Sequence, residues 1–115
     1  QDSFEQSIQN WADGNAIPNI VFDGSESLID CADSVVLFHE DYNISKENEG
    51  VKDLFLNGSK FAHTIDINGT LMASVSSFVF WLENHKPKTV LFIGDNKLTN
   101  NEKFNKYLEQ LIKRL

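Results

Sequence analysis

The stretch Ser34-Val35-Val36-Leu37-Phe38-His39-Glu40-Asp41 passes from an unbroken apolar run straight into polar residues. A strand open to water on one face alternates apolar and polar side chains. A strand covered on both faces is apolar throughout. Residues 34–38 therefore predict an inner strand of a sheet with helices on both sides, and His39 to Ser45 predict a loop at its carboxyl end. Thr89-Val90-Leu91-Phe92-Ile93, closed by Gly94-Asp95-Asn96, is a second run of the same kind.

Between these runs, Ser45 is placed to cap a helix whose apolar face is Val51, Leu54 and Phe55, stopped by Asn57-Gly58. Lys60 to Ile67 alternates in part, through Phe61, Ile65 and Ile67, and predicts a strand turned by Asn68-Gly69. Leu71 to His85 carries Val75, Phe78, Val79 and Leu82 at helical spacing, and Pro87 ends it. Phe80 and Trp81 on that helix supply core packing, or one exposed aromatic for a partner.

Upstream, Asn19-Ile20-Val21-Phe22 predicts a short strand. Ser25 then caps a short helix with Leu28, Cys31 and Ala32 inward. Ser3-Phe4-Glu5-Gln6 forms a capping box before Phe4, Ile8 and Trp11, and Gly14 and Pro18 mark the exit. Downstream, Thr99-Asn100-Asn101-Glu102 forms another capping box. It precedes an amphipathic helix through Phe104, Tyr107, Leu108, Leu111, Ile112 and Leu115. Strands alternating with helices predict an α/β fold: a mostly parallel central sheet of about four strands with helices on both faces. Residues 1–18 read as an N-terminal helix and connector, and residues 19–115 as the α/β domain proper, one compact unit overall.

The chain has 115 residues and a net charge of −7. Up to Asp53 its only basic residues are Lys46 and Lys52. Nucleic-acid binding wants the opposite sign, because phosphate neutralisation supplies most of that affinity, so a nucleic-acid partner is not expected. An acidic inhibitor that mimics nucleic acid is a remaining alternative. No apolar run approaches the length of a membrane span. The start at Gln1-Asp2-Ser3-Phe4 lacks the basic and apolar regions of a signal peptide, and fits a mature chain or an excised domain. Cys31 is the only cysteine, so no disulfide forms within the chain and no Cys/His zinc spacing exists. No cofactor and no catalytic group are expected. The partners expected are a protein or client polypeptide, or neighbouring domains of the same protein.

From Asn19 onward the order of elements resembles a thioredoxin domain. The resemblance lies in the apolar strand 34–38, the loop and helix after it, the strand-helix segment from Lys60, the proline before Thr89–Ile93, and the final amphipathic helix. In that family a redox C-x-x-C follows the first of these strands at a helix start. Here Tyr42-Asn43-Ile44-Ser45 occupies the place, followed by Lys46, and neither Tyr42 nor Ser45 has thiol chemistry. Cys31 falls before the strand. Pro87, Lys88 and Thr89 stand where the family keeps a cis-proline, with one residue more between proline and threonine. Only Lys97-Leu98 remains to supply the second strand of the family's terminal hairpin. The resemblance implies a redox-inactive domain acting in protein interaction or folding support, such as chaperones provide. Asn43-Ile44-Ser45, Asn57-Gly58-Ser59 and Asn68-Gly69-Thr70 are sequons. Asn43, Asn57 and Asn68 are thus candidate glycosylation sites, and a glycoprotein of the endoplasmic reticulum lumen or the extracellular space is expected.

A rival pattern follows the first predicted strand. Asp23-Gly24-Ser25-Glu26-Ser27 resembles the D-x-S-x-S metal-adhesion site of von Willebrand factor A domains, with Thr70 and Asp95 as further oxygen donors. That resemblance implies Mg²⁺ held by Asp23, Ser25, Ser27, Thr70 and Asp95. Asp66-Ile67-Asn68-Gly69-Thr70 is also similar to the nucleophile loop of haloacid-dehalogenase phosphatases, with Asn68 in place of the second acid.

Overall fold

The computed structural model describes residues 3–18 and 27–115, Leu28 by its backbone alone. Its sheet is built around β1 (Ser34–His39), with β2 (Phe61–Asp66) on one side and β3 (Val90–Gly94) on the other. Both neighbours run parallel to β1, with Ser34 opposite Phe61 and Val90, and Phe38 opposite Ile65 and Gly94. Parallel neighbours require crossovers, and helices supply them: α3 (Lys46–Asn57) joins β1 to β2, and α4 (Leu71–His85) joins β2 to β3. The described residues therefore form an α/β unit with an open, parallel, three-stranded sheet. Three of the about four expected strands are found there. The strand expected at 19–22 lies outside the described residues.

Every residue of β1 is buried, as its apolar run predicts. Val36 and Phe38 face one core, shared with Ile65, with Phe4 of α1 (Phe4–Gly14), with Val75 and Phe78 of α4, and with Phe104 and Leu111 of α5 (Glu102–Arg114). Val35 faces a smaller core with Ala32 and Phe55 of α3, against which Cys31 at the end of α2 (Leu28–Cys31) packs. Helices thus cover both faces, the larger core on the side of α1, α4 and α5. No helix among the described residues is long and apolar enough to cross a membrane.

Several local expectations shift. α1 is capped by Ser3, whose hydroxyl accepts the Gln6 N–H as the capping box predicts. α5 is not capped by Thr99. Residues Asn96–Asn100 wind into a 3₁₀ turn, and Asn101 becomes the cap, accepting from the Lys103 N–H. The side-chain amide of Asn101 is also drawn to Glu40 and Asn68, which fixes it at the helix start. At the end of α3 the left-handed residue is Ser59 (φ 61°), while Gly58 keeps φ −87°. A Cβ at 58 would meet the tip of the half-buried Ile29 side chain, which would have to shift.

The terminal hairpin implied by the thioredoxin resemblance is absent among the described residues, because Lys97 and Leu98 belong to the 3₁₀ turn. Leu98 is buried there, and α1 lies against both this turn and β3. The Phe4 N–H donates to Asn96 Oδ1 (2.9 Å), and the Trp11 indole donates to the Leu108 carbonyl (3.1 Å). The N-terminal helix is thereby built into the core of the domain.

Candidate binding site at the carboxyl edge of the sheet

Because the strands are parallel, the loops after all of them gather on one edge. In an open α/β sheet that edge, where neighbouring loops leave toward opposite faces, is where ligands bind. The loop after β1 leads to α3 on the smaller-core face. The turn after β3 leads to α5 on the other. Tyr42, Asn43, Ile44 and Ser45 sit at this divergence.

Ser45 caps α3, its hydroxyl accepting the Asn48 N–H at 3.2 Å. Tyr42 is 77% exposed. Asp41 and Tyr42 both hold left-handed backbone, with φ 51° and 65°. Such a conformation costs a bulky residue energy and persists only where the surroundings enforce it. Several contacts enforce it here. A bridge joins Glu40 to Asn43. The Tyr42 N–H donates to His39 Nδ1 at 3.0 Å, and the two rings stack with centroids 4.6 Å apart. The Asp41 N–H donates to Asp66 Oδ1 at 3.1 Å, and Asp41 Oδ2 accepts from the Asn68 amide at 2.9 Å.

His39 is buried, and that burial holds its pKa below the ordinary value; Asp66 and Asp41 pull the other way. The proton it carries when neutral lies on Nε2, since Nδ1 accepts. Beside Tyr42 an open groove of about 560 Å³ follows α3, walled by Ile44, Lys46, Glu49 and Lys52 among others. Both basic residues of the acidic first half of the chain therefore lie on it.

The remaining predicted residues divide between the two ends of the sheet. Pro87, Lys88 and Thr89 precede β3 and so lie at the amino end, away from Tyr42. The bond before Pro87 is trans, as no cis peptide occurs among the described residues. This corrects the expectation of a cis-proline beside the loop. Parallel pairing of β3 carries its start to the far edge, where the Asp33 carboxylate accepts the Lys88 and Thr89 N–H groups at 2.8 and 3.3 Å. Cys31 is at that far edge too, before the start of β1.

Asn43 and Asn57 are exposed. Asn68 is half-buried, its amide nitrogen on Asp41 and its oxygen on Asn101. Of the rival metal set, the described members do not come together. Asp23 and Ser25 lie outside the described residues. Ser27, at the amino edge, donates to Asp30 Oδ2 at 2.6 Å. Thr70 precedes α4 without a side-chain cap bond and Asp95 accepts from Asn48 (3.0 Å), both at the carboxyl edge. Asp66, the acid of the phosphatase-like loop, ends β2 and spends Oδ1 on the Asp41 and Asn68 N–H groups.

The His39–Tyr42 pair was not among the expectations drawn from the sequence. A histidine ending an apolar strand, three residues before an aromatic, is the signal that was there to find.

Fold and site together define a small α/β domain with an open, parallel sheet and a polar carboxyl edge. No family model, no curated protein and no solved structure matches this chain.

Proposed function

We propose that this chain is a redox-inactive, thioredoxin-like domain that binds a protein partner or client polypeptide through the surface after β1. The observation that carries the reading is Tyr42. It is an aromatic held outward in strained backbone at the start of a helix, where the resembled family keeps a reactive thiolate. Exposed, rigidly held aromatics are the usual anchors of protein interfaces, and no thiol stands near. The likeness to thioredoxin rests on the β1–α3–β2 unit and its loop. The parallel pairing of β3 and the trans bond at Pro87 count against extending it to the rest of the sheet. Exposed sequons at Asn43 and Asn57 support a place in a larger secretory-pathway protein, in the endoplasmic reticulum lumen or outside the cell.

The test pairs two measurements. Insulin-disulfide reduction is expected to show no turnover, and turnover would overturn the redox-inactive reading. Alkylated, permanently unfolded ribonuclease A, a basic polypeptide suited to an acidic domain, serves as the binding probe. Tyr42→Asn keeps a residue at ease in left-handed backbone. It is expected to weaken binding about tenfold, the worth of one anchor side chain, with no loss of melting temperature. Unchanged binding would remove Tyr42 from the proposal.

A further inference from the structure

The chain holds two Asn-Gly steps, Asn57-Gly58 and Asn68-Gly69. Such steps react on their own. The glycine main-chain nitrogen, with no side chain to shield it, gives up its proton and attacks the asparagine Cγ. An N–Cγ bond closes a ring, the Cγ–Nδ2 bond breaks, and the departing amide nitrogen takes up that proton and leaves as ammonia. Water then opens the cyclic imide to aspartate or isoaspartate. Nothing is oxidised or reduced, and water is the one co-reactant.

The fold treats the two steps differently. Asn57 is exposed at the end of α3, and the Gly58 N–H is shared between the Leu54 and Phe55 carbonyls at 3.1 and 3.2 Å. Asn68 is half-buried, and each group the reaction uses is engaged. The Gly69 N–H donates to the Asp66 carbonyl at 3.1 Å. Asn68 Nδ2 donates to Asp41 Oδ2 at 2.9 Å, and Asn68 Oδ1 accepts from the Asn101 amide at 3.2 Å. The Asn68 main-chain N–H donates to Asp66 Oδ1, the same oxygen that takes the Asp41 N–H.

The reacting amide also stands among acids. Conversion replaces the Nδ2 donor by a carboxylate oxygen that faces Asp41 Oδ2, with Glu40 one link away through Asn101. A hydrogen bond becomes a like-charge contact. Asp41 is one of the two left-handed residues that turn Tyr42 outward, and their conformation lasts only while its restraints do.

We propose that Asn68 is a deamidation site whose conversion unseats the Tyr42 loop, held back by its hydrogen bonds while the loop is in place. Only the effect on binding rests on the proposed function; the chemistry and the loosening of the loop do not. The product disfavours the closed loop, so the change runs one way.

The unaltered protein is aged at mildly alkaline pH, folded and in urea, and aspartate plus isoaspartate at position 68 are measured by peptide mass spectrometry. Conversion is expected to be at least about tenfold slower in the folded chain, since two side-chain hydrogen bonds must open first. Equal rates overturn the proposal. Asn68→Asp then stands for the product, and Asn68→Ala removes the amide without adding charge. The Tyr42 N–H is expected to exchange with deuterium at least about tenfold faster in Asn68→Asp than in the parent, and faster than in Asn68→Ala. Asn57→Asp is expected to leave it unchanged. Parent-like exchange in Asn68→Asp, or exchange no faster than in Asn68→Ala, overturns the proposal. An equal rise at the buried Val36 N–H, or a variant that does not fold, does so too, because the damage is then not confined to the loop. Binding of the unfolded ribonuclease probe is read separately and is expected to weaken in Asn68→Asp. A parent chain that does not bind removes the Tyr42 function and leaves the exchange rates to decide this inference.

Discussion

His39 accepts the Tyr42 N–H through Nδ1 and lies flat against the Tyr42 ring, with 30° between the planes. A buried imidazole thus holds the most exposed aromatic of the described loop, and it does so only while neutral. Protonating Nδ1 removes that acceptor and leaves the Tyr42 N–H without it.

Stability is expected to fall as pH drops through the histidine range. Burial keeps His39 below its ordinary 6.5, and burial with neighbouring His85 does the same for His63. Below that pH the unfolded chain takes up protons that the folded chain refuses. Stability is therefore full above 6.5 and declines beneath it. Urea melts across pH 5 to 8 check this, and His39→Asn should flatten part of the slope. Nitrogen NMR of His39 at neutral pH should report the Nε2–H tautomer.

Gly94→Ala is expected to destabilise by about 1–3 kcal/mol, the usual cost of overpacking. A Cβ at 94 would stand 2.7 Å from the Phe4 ring and 2.9 Å from Leu98 Cδ1. Both are fully buried, so neither can swing away. Chemical denaturation measures the loss.

Asn101→Ala is expected to cost more than Thr99→Ala, about 1–2 kcal/mol for the cap alone. The Asn101 side chain serves α5, Glu40 and Asn68 together. Equal effects would show that the capping box predicted at Thr99 governs the helix start after all.

Expression through a secretory host is expected to place glycans on Asn43 and Asn57 but not on Asn68. The Asn68 amide would have to leave both Asp41 and Asn101 to be modified. Mass spectrometry of peptides with and without glycosidase treatment decides it.

The inner strand was legible because covering both faces leaves nothing polar to write: Val35 to Phe38 admits one reading. The caps at Ser3 and Ser45 were legible because a hydroxyl before a helical period has few other uses. Sheet direction was not. Nothing in Thr89 to Ile93 states whether the strand runs with or against its neighbour, and that one fact sends Pro87 to the far edge. The α5 cap was misplaced because Thr99 and Asn101 both satisfy the local rule, and distant Glu40 and Asn68 decide between them. The strained pair Asp41–Tyr42 was hidden for the same reason, since its restraints come from Asp66 and Asn68 on another strand.

The anchoring of α1 has a consequence for how the chain is made. Phe4 is held by Asn96 and Trp11 by Leu108, partners 92 and 97 residues further on. During synthesis α1 has nowhere to dock until nearly all the rest of the domain has followed. Its apolar face, Phe4, Ile8 and Trp11, must wait in solvent or in the care of a chaperone. The core closes only when α5 has left the ribosome.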